Sequence, residues 1–145
     1  MSADASIDEV TARVYEIPTD APEADGTLPW SSTTMVLAEV TAGGRRGIGY
    51  TYADGACAAL ITGKLAGTLT GHRALDITGR WQAMVRAMRN NGRPGLVSCA
   101  ISAVDTALWD LKGKLLDLPV CRVLGMAHDA VPIYGSGGFT SYDIA

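Results

Sequence analysis

Apolar and polar residues alternate near the start of the chain, with Val10, Ala12 and Val14 interleaved with Thr11, Arg13 and Tyr15. A period of two predicts a strand with one buried face, ended by Pro18. Thr19–Ser32, rich in Pro, Asp, Glu and Gly and with Trp30 near its far end, reads as a loop. Met35–Val40 is more continuously apolar and predicts a more fully buried strand. TAGGRRG at Thr41–Gly47 offers the positive-φ residues that a hairpin turn needs. Ile48, Tyr50 and Tyr52 then alternate again, giving a third, antiparallel strand.

The period changes after Gly55. Gly55–Leu69 is rich in Ala and Leu but interrupted by Gly63 and Gly67. Asp76 is placed to cap the next helix through the free amides of its first turn. Within that helix Trp81, Met84, Val85 and Met88 fall at i, i+3, i+4 and i+7, one apolar stripe, and Asn91-Gly92 stops it. Pro94–Leu116 predicts the longest helix, with Val97, Ile101, Val104, Leu108, Leu111 and Leu115 at helical spacing. Ala100, Ala103 and Ala107 keep another of its sides thin enough for close packing. Pro119 suits the first turn of a short helix, and Gly125 suits its end. The expected fold class is α+β: a three-stranded antiparallel meander followed by a helical bundle.

Composition narrows the function classes. The 145 residues are 48% apolar and 19% charged, with a formal net charge of −3, a globular composition with enough chain for one core. No basic block is present, so nucleic acid is not an expected partner. No apolar run approaches the roughly 20 residues of a membrane span. The acidic start, MSADASIDEV, lacks the apolar core of a secretory signal, so a cytoplasmic location is expected. Cys57, Cys99 and Cys121 are far apart and odd in number, and read as reduced thiols in or near a core. His72 and His128 sit in unrelated contexts and are assigned no metal.

GSGGFT at Gly135–Thr140 fails as a dinucleotide loop because Thr140 occupies the place of the last glycine. There is no Walker A sequence, and Tyr134 stands where a GxSxG elbow needs its first glycine. Asp110 and Lys114, four apart on one helix, read as a solvated surface pair. Asp105 and Trp109 read as structural.

The segment AISAVDTALWDLKGKLLDLPVCRVLG at Ala100–Gly125 follows the three-strand meander and precedes VPIYGSGGFTSY at Val131–Tyr142. In that order it resembles the N-terminal part of enolase-superfamily enzymes of the mandelate racemase and muconate-lactonizing branch, from about Ile7 to Tyr142. The resemblance implies a capping domain at residues 1–130, with the first strand (Val131–Gly135) and loop of a (β/α) barrel at 131–145. It implies Mg²⁺ held by acidic residues on the third, fourth and fifth barrel strands. Lysine or histidine bases on other strands would take a proton α to a carboxylate. None of those ligands or bases falls within this sequence, so no catalytic residue and no metal ligand is assigned in it.

The resemblance does imply three pieces of a substrate pocket. One is the lid loop Thr19–Trp30, with Trp30 as a cap over ligand or an anchor of the loop. Another is Tyr50–Gly55, where Tyr52 is either a pocket residue or a strand aromatic. The third is Ser136, at the C-terminal end of the first barrel strand, where barrel active sites sit. The expected partners are a small carboxylate substrate, the barrel domain in the same or another chain, and a second copy of the protein; no membrane is expected. The expected function is the cap of a sugar-acid dehydratase, since Tyr50-Thr51-Tyr52 and the Gly-Ser-Gly segment suit a hydroxylated ligand. A racemase or cycloisomerase of the same family, or a non-catalytic binding module, is the alternative.

Overall fold

In the computed structural model, which describes residues 5–135, Gly43 and Gly44 adopt φ of 56° and 72° and close a two-residue reversal. Positive φ at both central positions matches the twist of antiparallel strands, and glycine adopts it without a Cβ penalty. The turn joins β2 (Pro29–Ala42) to β3 (Arg45–Tyr52), and β1 (Ile7–Ala24) pairs on the other side of β2. The sheet is antiparallel, in the order β1-β2-β3. Helices α1 (Ala56–Leu60), α2 (Ile77–Ala87), α3 (Ser98–Leu116) and α4 (Val120–Leu124) follow. The fold is α+β, as the change of period predicts.

The core lies between the inner sheet face and α1–α3. Val10, Val36, Ala38, Val40 and Ala42 from the sheet meet Cys57, Ile61, Leu65, Met84, Met88, Val104, Leu108 and Leu111 from the helices. Alanines 100, 103 and 107 of α3 are fully buried. They are thin because β3 offers them glycine: a Cβ on Gly49 would overlap the Ala103 carbonyl, and one on Gly47 would overlap that of Ala107. Helix backbone therefore lies directly on strand backbone.

This contact decides which face of β3 is buried. Gly47 and Gly49 point inward, while Ile48, Tyr50 and Tyr52 are 44%, 55% and 62% exposed on the outer face. Tyr15 and Ile17 of β1 lie on that same outer face, also exposed. Glu39 is the buried charge of the face, paired with Arg46 at 2.9 Å and Arg13 at 3.6 Å.

Several boundaries differ from the sequence reading. Pro18 does not end β1: it pairs with Ser32 and the strand runs to Ala24. β1 is an edge strand, where a residue without an N–H is tolerated. The predicted loop Thr19–Ser32 is mostly the two arms of a hairpin. Gly55–Leu69 is helical but irregular, passing from α1 into a wide turn at Ile61–Leu65 and a tight one at Ala66–Thr68. The side chain of Asp76 makes no capping hydrogen bond to α2. Helix α3 begins at Ser98 rather than Pro94, because Pro94 is extended (ψ 139°) and Gly95 has φ 87°, conformations that cannot propagate a helix. Ser98 Oγ instead donates to the Arg93 carbonyl at 2.7 Å, closing the kink.

The Asp110–Lys114 pair does more than decorate a solvated face. The Ile48 amide donates to Asp110 Oδ2 at 2.8 Å, Lys114 Nζ donates to the Arg46 carbonyl at 2.9 Å, and the two side chains meet at 2.6 Å. Together they satisfy backbone groups on the open edge of β3, which would otherwise face solvent or another strand. Of the cysteines, Cys57 is buried, Cys99 half-buried and Cys121 exposed, so the last lies outside the core.

Asp105, half-buried on α3, carries a pH dependence. Desolvation raises its pKa above the ordinary 3.8, partly offset by a hydrogen bond with Trp109. A raised folded-state pKa means the folded chain binds the proton more tightly. The contribution to stability is full below the unfolded pKa and is lost as pH rises through the folded one. Asp105→Asn is therefore expected to melt at a higher temperature than the parent at pH 7, with the two curves converging near pH 3. Equal melting temperatures across that range would show that burial of this carboxylate costs the fold nothing.

Candidate functional site

Beyond the Met35↔Tyr52 pair, β3 has ended and β1 and β2 continue alone as a two-stranded finger. Its base pairs in regular register to Pro18↔Ser32. The four residues Thr19–Pro22 then face only Ser31 before pairing resumes at Glu23↔Trp30 and Ala24↔Pro29. Bulges of this kind disrupt the ladder locally and bend a strand. Its tip is fixed by Asp25, whose Oδ1 accepts from the Thr27 hydroxyl at 2.7 Å, the Thr27 amide at 2.6 Å and the Leu28 amide at 2.8 Å. Those bonds, the Thr27 hydroxyl first, hold the Asp25 pKa below its ordinary value.

Between the finger and the end of β3 lies an open hollow of about 510 Å³, walled by Ile17, Pro18, Thr19, Glu23, Trp30, Thr33 and Tyr52. A second hollow of about 500 Å³ shares Trp30, Thr33 and Tyr52 and extends to Asp54. The Trp30 indole N–H donates to Glu23 Oε2 at 2.7 Å across the hairpin. Trp30 is thus anchored within the finger while its ring still walls the hollow. Tyr52 meets Tyr50 edge to face, with ring centroids 5.7 Å apart. Asp54 Oδ1 accepts from the Ala56 amide at 2.8 Å, fixing the turn from β3 into α1.

Two of the three residues singled out from sequence, Trp30 and Tyr52, thus come together in one hollow. Ser136 lies outside the described residues. Val131–Gly135 makes no strand pairing among the described residues, and Val131, Ile133 and Tyr134 are 77%, 92% and 88% exposed. Thr19, Glu23 and Asp54 lie within the segments Thr19–Trp30 and Tyr50–Gly55 expected to form the pocket but were not singled out, and Thr33 lies outside both. The signal that singles out Glu23 is hairpin register, which brings it opposite Trp30 and is invisible while the segment is read as a loop. Among the described residues, no three His, Cys, Asp or Glu side chains are grouped as metal ligands. No helix among the described residues is long and apolar enough to cross a membrane.

The sequence pattern of the mandelate racemase / muconate lactonizing enzyme N-terminal domain matches residues 9–125. The chain belongs to this family, within the enolase superfamily. A mandelate racemase/muconate lactonizing enzyme-like protein from Rubrobacter xylanophilus is 51% identical with a TM-score of 0.92, covering 95% of this chain and 38% of that one. A 3,6-anhydro-α-L-galactonate cycloisomerase of Streptomyces coelicolor is 34% identical over 139 residues, 90% of this chain and 38% of the relative. An L-talarate/galactarate dehydratase of Salmonella typhimurium is 34% identical over 116 residues, 77% of this chain and 29% of the relative. A structure of an L-talarate/galactarate dehydratase liganded with Mg and L-glucarate has a TM-score of 0.76 at 29% identity, covering 88% of this chain and 35% of that one. The chain therefore spans less than two fifths of these relatives, at their N-terminal domain.

Proposed function

We propose that this chain is the capping portion, at residues 1–130, of a magnesium-dependent sugar-acid dehydratase, and that the finger and Tyr52 close over the mouth of a barrel beginning at residues 131–145. The observation that carries the reading is the hollow itself. It is an open, polar-rimmed space between a two-stranded finger and a strand end, in a chain whose relatives act on sugar acids. The reading includes Ser136 as a hydroxyl on the barrel side of the same pocket. In this reading both the metal and the proton-transferring bases belong to the barrel. Among the described residues no cluster of side chains fits a Mg²⁺ site, so no step is assigned to a metal held by them.

What the chain supplies is recognition and exclusion of water. Trp30 presents an apolar ring face, and Tyr52 and the threonines present hydroxyls able to bond a polyhydroxy ligand. A two-stranded hairpin without a third strand has little stability of its own, which suits a lid that opens and closes. The exposed outer face with Tyr15, Ile48 and Tyr50 supports packing against further protein, either the barrel domain or a second copy. A cytoplasmic location belongs to the same proposal.

In the complete enzyme, Tyr52→Phe is expected to lower kcat/KM for a sugar acid by a few-fold to a hundred-fold, with an unchanged melting temperature. Loss of one hydrogen bond to a polar or charged group costs about 0.5–3 kcal/mol. Unchanged kinetics with a lowered melting temperature would make Tyr52 structural. The cycloisomerase reading has support of its own, since that relative matches over 90% of this chain. Product mass separates the two, because dehydration removes one water and isomerisation removes none.

A further inference from the structure

Helix α3 carries a polar stripe apart from the alanines that meet the sheet. Ser98, Ser102, Asp105 and Trp109 fall at i, i+4, i+7 and i+11, one face of the helix. With Trp81 of α2 and Arg93 of the segment before α3, the first three line a hollow of about 200 Å³ between the two helices. It shares no residue with the hollows beside the finger.

This second hollow gathers acceptors around a carboxylate that lacks a counter-charge. Asp105 has a hydrogen bond with Trp109 and no ion pair with a cation among the described residues. Arg93 lines the same hollow and Lys112 lies over the Trp109 ring at 5.1 Å, yet neither is paired with Asp105. From α2 the hollow receives Trp81 and Val85 and no charge. Burial raises the Asp105 pKa, as expected of a carboxylate that loses water and gains no cation. The Ser98 hydroxyl donates to the Arg93 carbonyl at 2.7 Å, which leaves its oxygen as an acceptor. Trp81 is 40% exposed in the wall. A planar guanidinium suits this set, because it offers several donors in a fixed fork and stacks on aromatic rings. A lysine would bring the charge without the flat face.

The relatives carry more than three fifths of their length outside the portion this chain matches. In the reading above, that portion is a barrel joined after α4, and α4 lies against α3, with Val120 beside Gly113. Asp105 is about 18 Å along α3 from Asp117, at the rise of an α-helix. We propose that the hollow between α2 and α3 receives an arginine side chain from the barrel domain, whose guanidinium pairs with Asp105 and fixes the capping domain against the barrel. The proposal rests on the barrel reading and adds a docking contact to it.

The test compares Asp105→Asn in this chain and in the complete protein by thermal melts across pH. In the chain the Asn variant is expected to melt higher than the parent at pH 7, as argued for the unpaired carboxylate. In the complete protein the sign reverses. A bound guanidinium holds the folded-state pKa below the unfolded one, so the contribution of Asp105 is full above the unfolded pKa and is lost as pH falls through the folded one. The complete parent is expected to melt about 3 °C or more above its Asn variant at pH 7, with the gap closing below about pH 4. Asp105→Glu, which keeps the charge, is expected to recover at least half of that gap. A complete Asn variant that melts as high as its parent, or higher, would overturn the pairing and leave the barrel reading in place. So would a gap that vanishes in an Arg93→Gln background, because Arg93 would then be the partner. If the complete Asn variant is insoluble, the Glu variant decides: a soluble one supports the pair and an insoluble one overturns it. A complete protein without a barrel would remove the barrel reading and this inference with it.

Discussion

Gly49→Val is expected to abolish cooperative folding of this chain, and Gly49→Ala to lower its stability by about 3 kcal/mol or more. At this position the strand touches the helix through backbone alone. A Cβ on Gly49 would overlap the Ala103 carbonyl oxygen, and would come within 2.6 Å of the Ala107 amide nitrogen and 2.9 Å of Thr106 Cβ. Real Cβ atoms essentially never approach so closely, and two of these three neighbours are main-chain atoms that cannot turn aside. Relief requires α3 to move off the sheet, opening the layer that buries Val104, Leu108 and Leu111. Overpacking in cores typically costs about 1–3 kcal/mol where side chains can adjust, and here they cannot. Urea unfolding followed by circular dichroism is the measurement. A Gly49→Ala chain as stable as the parent would show that α3 and β3 are not in backbone contact.

The glycine contact also explains why the sequence showed the strands more clearly than their faces. Period-two alternation of Ile48, Tyr50 and Tyr52 with Gly47, Gly49 and Thr51 marks a strand correctly, but alternation alone does not say which set is inside. Large apolar residues are usually the inner set, whereas here the inner set is glycine, because a helix lined with Ala103 and Ala107 needs that space. The thin side of α3 was visible in the sequence; its partner in β3 became visible only once register was known. Helix starts misled for a different reason. Leu96 and Val97 carry the apolar pattern upstream of Ser98, but Gly95 takes a positive φ that no hydrophobic period reports.

The site was legible as a family pattern and illegible as geometry. Trp30 and Tyr52 were identified as candidates, and both wall the same hollow. Their distance in sequence is bridged by the sheet, which pairs Met35 with Tyr52 and Trp30 with Glu23. Glu23 and Thr19 carried no signal of their own, because Pro18 and the Pro/Asp/Glu-rich run after it read as the end of a strand. An edge strand tolerates the proline, and the Thr19–Pro22 bulge restores pairing beyond it. The acidic composition of residues 16–34, by contrast, is plain in the sequence, and the hairpin places one of those carboxylates, Glu23, in the wall of the hollow.

Leu111→Ala is expected to destabilise the chain by about 2–5 kcal/mol, and it is not expected to rescue Gly47→Ala. Leu111 is fully buried on α3, facing Gly47. Removing a buried leucine side chain costs its transfer free energy plus the cavity left behind. A Cβ on Gly47 would meet Leu111 Cβ at 2.6 Å, which suggests that a smaller residue at 111 could make room. It cannot, for two reasons. Alanine retains the same Cβ, and the closer obstacle is the Ala107 carbonyl oxygen, which belongs to the helix backbone. The double variant should therefore be at least as unstable as the sum of the single losses, with no favourable coupling between neighbouring sites. A double-mutant cycle read by chemical denaturation measures the coupling directly. Recovery of about 1 kcal/mol or more in the double variant would mean that the side chain at 111, and not the backbone of α3, sets the distance between helix and sheet.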